Sequence, residues 1–180
     1  MYTDTKELQE RIEAQEKKDR YVASECLKWL LRNGKDLNIV PTEIKDGVDL
    51  RCSVTDIRND NHVKFNVEIK ERYKNNFGLS KYPYAELKVS KLANMRRSTD
   101  YDTTRLYYMV LLNQNTCYLF NLDSLDWENI EKGWWHVKKT QLDDNSEYED
   151  VEIYKIPYSK AVAVCNCKNF FKEYELNLDK

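Results

Sequence analysis

The stretch HVKFNVEIKERY, residues 62–73, alternates without a break: Val63, Phe65, Val67 and Ile69 share one side, and His62, Lys64, Asn66, Glu68 and Lys70 share the other. A period of two is the mark of a half-buried β-strand. The preceding GVDLRCSV has the same period, with Val48, Leu50, Cys52 and Val54 on one face and Asp49, Arg51 and Ser53 on the other. Between them, TDIRNDN is rich in turn formers. The two segments therefore read as an antiparallel hairpin, and parity constrains its register. The apolar faces coincide only if paired residue numbers sum to an odd number. A sum of 117 sets Asp49 opposite Glu68, and a sum of 119 sets it opposite Lys70. Either way Asp49, Glu68 and Lys70 meet on one face, where directly opposed Cβ atoms lie about 4.5–5.5 Å apart.

Around this hairpin, periodicity places the other elements. DRYVASECLKWLLRN, residues 19–33, is an amphipathic helix whose apolar side holds Val22, Cys26, Leu27, Trp29, Leu30 and Leu31, and Gly34 follows as a stop. Residues 4–18 are strongly charged, with Leu8 and Ile12 their only large apolar residues, and read as a helical arm or a frayed extension. The reading is thus an N-terminal arm over 1–18 and a single domain over 19–180. DLNIVPTEI is a short strand interrupted by Pro41. YAELKVSKLANMRRS is either a strand end passing into a helix or one helix throughout. Residues 105–112 and 116–121 are strands joined by an Asn-rich turn, SLDWENI is a short helix, and GWWHVKKTQ and YEDVEIYKI are further strands. Trp134 and Trp135 then point to opposite faces. The tail from Ser159 fits neither period cleanly.

At 180 residues with 41% hydrophobic content, the chain can bury one core; no apolar run approaches a membrane span. Its N-terminus lacks the apolar region of a signal peptide. The four glycines are too sparse for a dinucleotide or P-loop fingerprint. The five cysteines are odd in number and include no C-x-x-C pair, so a reduced, cytoplasmic chain is expected rather than a disulfide framework. A zinc site would need Cys117, Cys165, Cys167 and a histidine to converge. Cys165-x-Cys167 alone reads more simply as two half-buried strand cysteines. The net charge of −2 does not favour nucleic acid, although a local basic cleft can form on an acidic protein.

Two carboxylates on adjacent strands can hold Mg²⁺, which prefers hard oxygen ligands. A metal so held polarises a phosphodiester and acidifies a bound water, and a nearby lysine stabilises charge or orients that water. Asp49 with Glu68-Ile69-Lys70 on the next strand is thus a minimal site for phosphodiester hydrolysis. With a helix before it and a helix–strand pair after it, this pattern resembles the PD-(D/E)XK nuclease superfamily over residues 19–121. One departure is Val48, which stands where many members have proline.

The resemblance implies an α/β, restriction-endonuclease-like fold with a central mixed β-sheet flanked by helices. It implies Mg²⁺- or Mn²⁺-dependent hydrolysis of DNA, with Asp49 and Glu68 as metal ligands and Lys70 as the catalytic lysine. A glutamate on the first helix often joins the metal, and Glu25 matches that position. Lys91, or alternatively Lys88, matches an assisting residue on the following helix. Arg72, Lys74 and Lys81, with Arg96 and Arg97, are expected to contact backbone phosphates. Many nucleases of this type form a homodimer to cut both strands, and the 4–18 arm is available for such a contact. The rival reading is a non-catalytic protein- or nucleic-acid-interaction module, in which the same face would be flat, covered or salt-bridged. The acidic loop LDDNSEYED suits a protein partner in that case.

Overall fold

The computed structural model describes residues 5–33, 35–42, 47–56, 58–73, 84–100, 103–138 and 147–178. A long helix α1 (Thr5–Leu30) precedes three strands, β1 (Lys35–Pro41), β2 (Leu50–Asp56) and β3 (His62–Arg72). Then come β4 (Tyr84–Lys88), α2 (Val89–Arg97), β5 (Thr104–Leu112) and β6 (Thr116–Asn121). The chain finishes with β7 (Glu131–Lys138), β8 (Tyr148–Pro157), a single 3-10 turn over 158–160, β9 (Ala163–Asn166) and α3 (Lys168–Leu178).

Six strands form the central sheet in the order β1-β2-β3-β5-β6-β9. The β3–β5 pair is parallel and the others are antiparallel, so the sheet is mixed. A second sheet, β4-β8-β7, is antiparallel throughout. The parallel pair needs a crossover, and β4 and α2 supply it.

Each face of the central sheet has its own core. On one, Val22, Ala23, Cys26 and Leu27 of α1 and Phe171 of α3 pack on Leu50, Cys52, Phe65, Val67 and Ile69. On the other, Leu92 and Met95 of α2 with Ala85, Leu87 and Ile156 of the small sheet pack on Leu106, Tyr108 and Val110. The protein is therefore α/β, a mixed sheet with helices on both sides, as the sequence pattern implied.

The hairpin register is the one with sum 117: Leu50 pairs with Val67 and Cys52 with Phe65. Asp49 N–H donates to Val67 O at 3.0 Å just beyond the ladder, and this sets Asp49 beside Glu68. Val48 departs from its expected face. Residues 47–49 form a bend before β2, so the pleat has not begun, and Val48 joins the α2-side core instead. Gly47 permits the bend, because a Cβ there would collide with the Ser98 side chain at the end of α2.

Two further expectations change and two open readings are resolved. The charged segment 5–18 and the amphipathic helix are one continuous helix, supported along the charged part by Glu7–Arg11, Gln9–Glu13 and Gln15–Asp19 contacts at i,i+4 spacing. SLDWENI is a run of turns, pinned where Trp127 Nε1 donates to Leu122 O at 2.9 Å. YAELKVSKLANMRRS is strand then helix, because β4 pairs with β8 through Lys88. The ambiguous tail is β9 followed by α3. The Asn-rich connection between β5 and β6 is a tight turn, with Asn113 and Gln114 both at positive φ. Trp134 is 68% exposed, whereas Trp135 is half-buried under the Arg72 guanidinium, 5.1 Å from its ring.

Candidate active site

The bend before β2, the C-terminal part of β3, residues 11–20 of α1 and one residue of α2 border a cleft of about 450 Å³. Asp49, Glu68, Ile69 and Lys70 form its floor, and Gln15, Glu16, Asp19 and Arg20 form the α1 wall. Lys91 closes the α2 side. Asp49 is fixed on both sides of its carbonyl–amide unit: its N–H bonds Val67, its C=O accepts from Thr42 N–H at 3.0 Å, and its Oδ2 accepts from Ile69 N–H at 2.7 Å. The carboxylate is therefore anchored by the β3 backbone between Glu68 and Lys70. Arg20 Nη2 stands 3.7 Å from Asp49 Oδ1, and Lys91 Nζ pairs with Glu68 Oε1 at 2.9 Å.

The electrostatics are those of crowded carboxyls. Burial, and then the adjacent Asp49 charge, raise Glu68 to about 8 against the pull of Lys91. Glu16 is also raised, by burial first, with Arg20 opposing and Asp49 reinforcing. Lys70 as a residue is exposed, yet the protein crowding its ammonium, and then the neighbouring Arg72 charge, lower its pKa below the usual lysine value. Two carboxyl oxygens in this group, Glu16 Oε2 and Glu68 Oε2, are buried with no hydrogen-bond partner. Orphaned buried acceptors are costly unless something else satisfies them. Carboxylate oxygens are the donors a hard divalent cation prefers, so the donor type lining the cleft suits Mg²⁺ or Mn²⁺, although among the described residues no three of these oxygens lie within 4.8 Å of one another.

A second acidic pair lies at the rim. Gln15 donates to Asp19 Oδ1 at 3.1 Å and also bonds Glu71 Oε2, while Gln114 donates to Glu71 Oε1 at 2.9 Å. Asp19 is raised to about 8 by burial, then by its hydrogen bond to Glu71 and that group's charge. Burial alone would raise Glu71 as well, but hydrogen bonds from Asp19, Tyr73 and Gln114 outweigh it and hold Glu71 low. The pair keeps one proton.

The structure brings Asp49, Glu68, Lys70 and Lys91 together and sets Glu25 apart. Glu25 lies about two and a half turns beyond Glu16 on α1, pairs with Lys28 at 3.1 Å, and faces a neighbouring hollow bounded by Tyr21 and Pro41. The helical glutamate in the cleft is Glu16. Because α1 continues through residues 5–18, its inward face runs 12, 15, 16, 19, 20, an i, i+3, i+4 repeat. That repeat was the available signal for Glu16, Asp19 and Arg20, which a helix beginning at residue 19 hides.

Arg72 is likewise not an exposed loop cation. As the last residue of β3 it shares the parity of Glu68 and Lys70, but it lies half-buried against β4 of the small sheet. Its Nη2 donates to Glu86 O at 3.5 Å. Arg96 and Arg97 are exposed on the last turn of α2, with Arg96 5.7 Å from the Trp127 ring and Arg97 bonded to the Asn94 side chain. Lys74 and Lys81 lie outside the described residues.

No protein-family model and no curated protein sequence matches the chain. Among solved structures, it is similar to the Holliday junction resolvase Hjc of Archaeoglobus fulgidus, with 13% identity and a TM-score of 0.39. The match covers 81% of this chain and 96% of the resolvase. That protein has the restriction-endonuclease-like fold. Among the described residues, no helix is long and apolar enough to cross a membrane.

Proposed function

We propose that the protein is a nuclease hydrolysing phosphodiester bonds in DNA with Mg²⁺ or Mn²⁺. The observation that carries this reading is that Glu16, Asp49 and Glu68 line one cleft with Lys70, with a buried unpartnered oxygen on each glutamate. These three carboxylates would hold the ion. A divalent cation there supplies a water of lowered pKa and offsets charge on the phosphate. Arg20 and Lys91 keep Asp49 and Glu68 in position, and their charge is then available to phosphate oxygens at the cleft wall. Lys70, at the cleft mouth with a depressed pKa, orients the attacking water or stabilises the charge that develops on phosphorus oxygens.

Arg96 and Arg97, exposed on the last turn of α2, would meet the nucleic-acid backbone beyond the cleft. Lys74 and Lys81 keep that assignment from the sequence. DNA as substrate, a cytoplasmic location and a homodimer that cuts both strands follow from the resemblance and from the free cysteines. The rival reading, a non-catalytic interaction module, draws on the Arg20–Asp49 and Lys91–Glu68 pairs, which balance the carboxylates without a metal.

The deciding experiment is cleavage of supercoiled plasmid and labelled single strands with Mg²⁺ or Mn²⁺, alongside folded Lys70→Ala and Asp49→Ala variants. Metal-dependent cleavage that both variants lose supports the nuclease. Absence of cleavage, or cleavage that persists in the variants, favours the module.

A further inference from the structure

Four of the five cysteines, distant in sequence, meet at one point on the α1 side of the sheet, away from the cleft. Cys117 on β6 stands directly opposite Cys165 on β9. Cys26 reaches down from α1, and its thiol lies beside those of Cys117, Cys165 and Cys167. The sulfurs of Cys26, Cys117 and Cys165 all lie within 4.8 Å of one another. Cys167 follows β9 at the entry to α3, with its N–H donating to Asn115 O at 2.9 Å and its C=O accepting from Phe170 and Phe171. Cys26, Cys117 and Cys167 are fully buried, and all four sulfurs are free thiols.

We propose that Cys26, Cys117, Cys165 and Cys167 bind one structural Zn²⁺. Four thiolates are a complete tetrahedral shell, with no position left open for catalysis. Zn–S bonds of about 2.3 Å place ligand sulfurs about 3.8 Å apart, so the observed trio needs to close by no more than about 1 Å. An iron–sulfur cluster would require its cysteines to spread around a body several ångströms wide, and the sulfurs here are too close together for that. The histidine expected to complete such a set is replaced by Cys26. His62 lies beside Thr55, and His136 beside Asp150.

Binding releases four thiol protons to solvent and leaves a zinc tetrathiolate of net charge −2. Cys167 stands at the N-terminus of α3, whose positive end offsets part of that charge. The ion ties α1 to β6, β9 and α3, so its role is to hold the helix that bears Glu16 against the sheet. It takes no part in chemistry at the cleft.

The test is metal analysis of the full chain purified under reducing conditions without chelator, together with Co²⁺ reconstitution. The expected result is one zinc per chain, a thiolate-to-cobalt charge-transfer band, and the intense visible bands of a tetrahedral site. Cys26→Ser, Cys117→Ser and Cys165→Ser should lose the metal and the bands, whereas Cys52→Ser and Asp49→Ala should keep both. Chelator treatment of the wild type should lower its Tm, and added zinc should restore it. This arm needs no variant to fold. A folded wild type that neither contains zinc nor develops the cobalt bands would overturn the proposal. So would bound iron with inorganic sulfide, or zinc that leaves with Asp49→Ala and stays in the serine variants.

Discussion

Asp49 Oδ2 accepts a hydrogen bond from the Ile69 backbone N–H at 2.7 Å, so the first acidic residue of the motif is anchored on the strand between the other two. A carboxylate with this bond has two roles that substitution can separate. Asp49→Asn keeps an acceptor for Ile69 and removes the charge; Asp49→Ala removes both. Both variants should lose metal-dependent cleavage. Only Asp49→Ala should also lose about 1–3 kcal/mol of stability, the usual cost of orphaning a buried donor. Urea denaturation beside the activity assay measures the difference, and equal destabilisation by the two variants would contradict the anchoring role.

The exchange of Glu25 for Glu16 can be tested directly. Glu16→Gln should weaken Mn²⁺ binding about tenfold or more, the scale on which partners of a metal site act. Glu25→Gln, which loses only a partly exposed bond to Lys28, should leave binding unchanged. Calorimetric titration with Mn²⁺ reads both. The reverse order would restore the expectation from sequence.

Lys70→Ala should lower kcat by about 10²–10³, as removal of a single transition-state stabiliser does, while Mn²⁺ binding persists. Single-turnover cleavage at saturating metal isolates that step. A loss appearing only as weaker metal binding would reassign Lys70 to holding the carboxylates.

The Asp19–Glu71 pair predicts how stability depends on pH without divalent metal. Asp19 holds its proton to about 8 in the native state, whereas the unfolded chain releases it near pH 4. Its contribution is therefore full below about pH 4 and falls as pH rises through 8, with a slope of at most about 1.4 kcal/mol per pH unit. Glu71 shifts the opposite way, so its contribution is lost only at acidic pH. Asp19→Asn should flatten part of the decline between about pH 5 and pH 8 in denaturant midpoints. An unaltered slope would show that the proton resides elsewhere.

Gly47 allows the bend that presents Asp49. Gly47→Ala forces a Cβ into Ser98, so the bend or the end of α2 must move. The expected result is a loss of cleavage out of proportion to a loss of stability of about 1–3 kcal/mol, the usual cost of overpacking. Near-wild-type cleavage in a folded Gly47→Ala protein would show that Asp49 is positioned by β3 alone.

The hairpin was readable because a period of two survives in its residues and parity admits only registers with an odd sum, 117 and 119 among them. The turn at 47–49 settled which one. Val48 misled because alternation in sequence continues one residue further than the pleat does. The N-terminal helix was half legible: Leu8 and Ile12 give little apolar signal, while polar contacts and an inward Gln15-Glu16-Asp19-Arg20 face sustain the helix. A wall made of charged residues carries no hydrophobic period, so Glu16 was missed and Glu25, next to Cys26 and Leu27, was preferred. The pairing of β4 with β8 and the meeting of four cysteines depend on contacts distant in sequence, which local patterning does not encode.

The order in which the chain is made has a consequence for α1. Its Tyr21 ring lies 5.2 Å from that of Tyr174 on α3, and its buried side rests on β3 and on residues around Cys167. Helix α1, made before the sheet, thus completes its seat only when α3 has been made. Contacts of this span make folding slow, because a long loop must close before they form. A nascent chain carrying Asp49, Glu68 and Lys70 therefore still lacks a seated wall bearing Glu16, and the candidate active site is assembled only after α3 has been made.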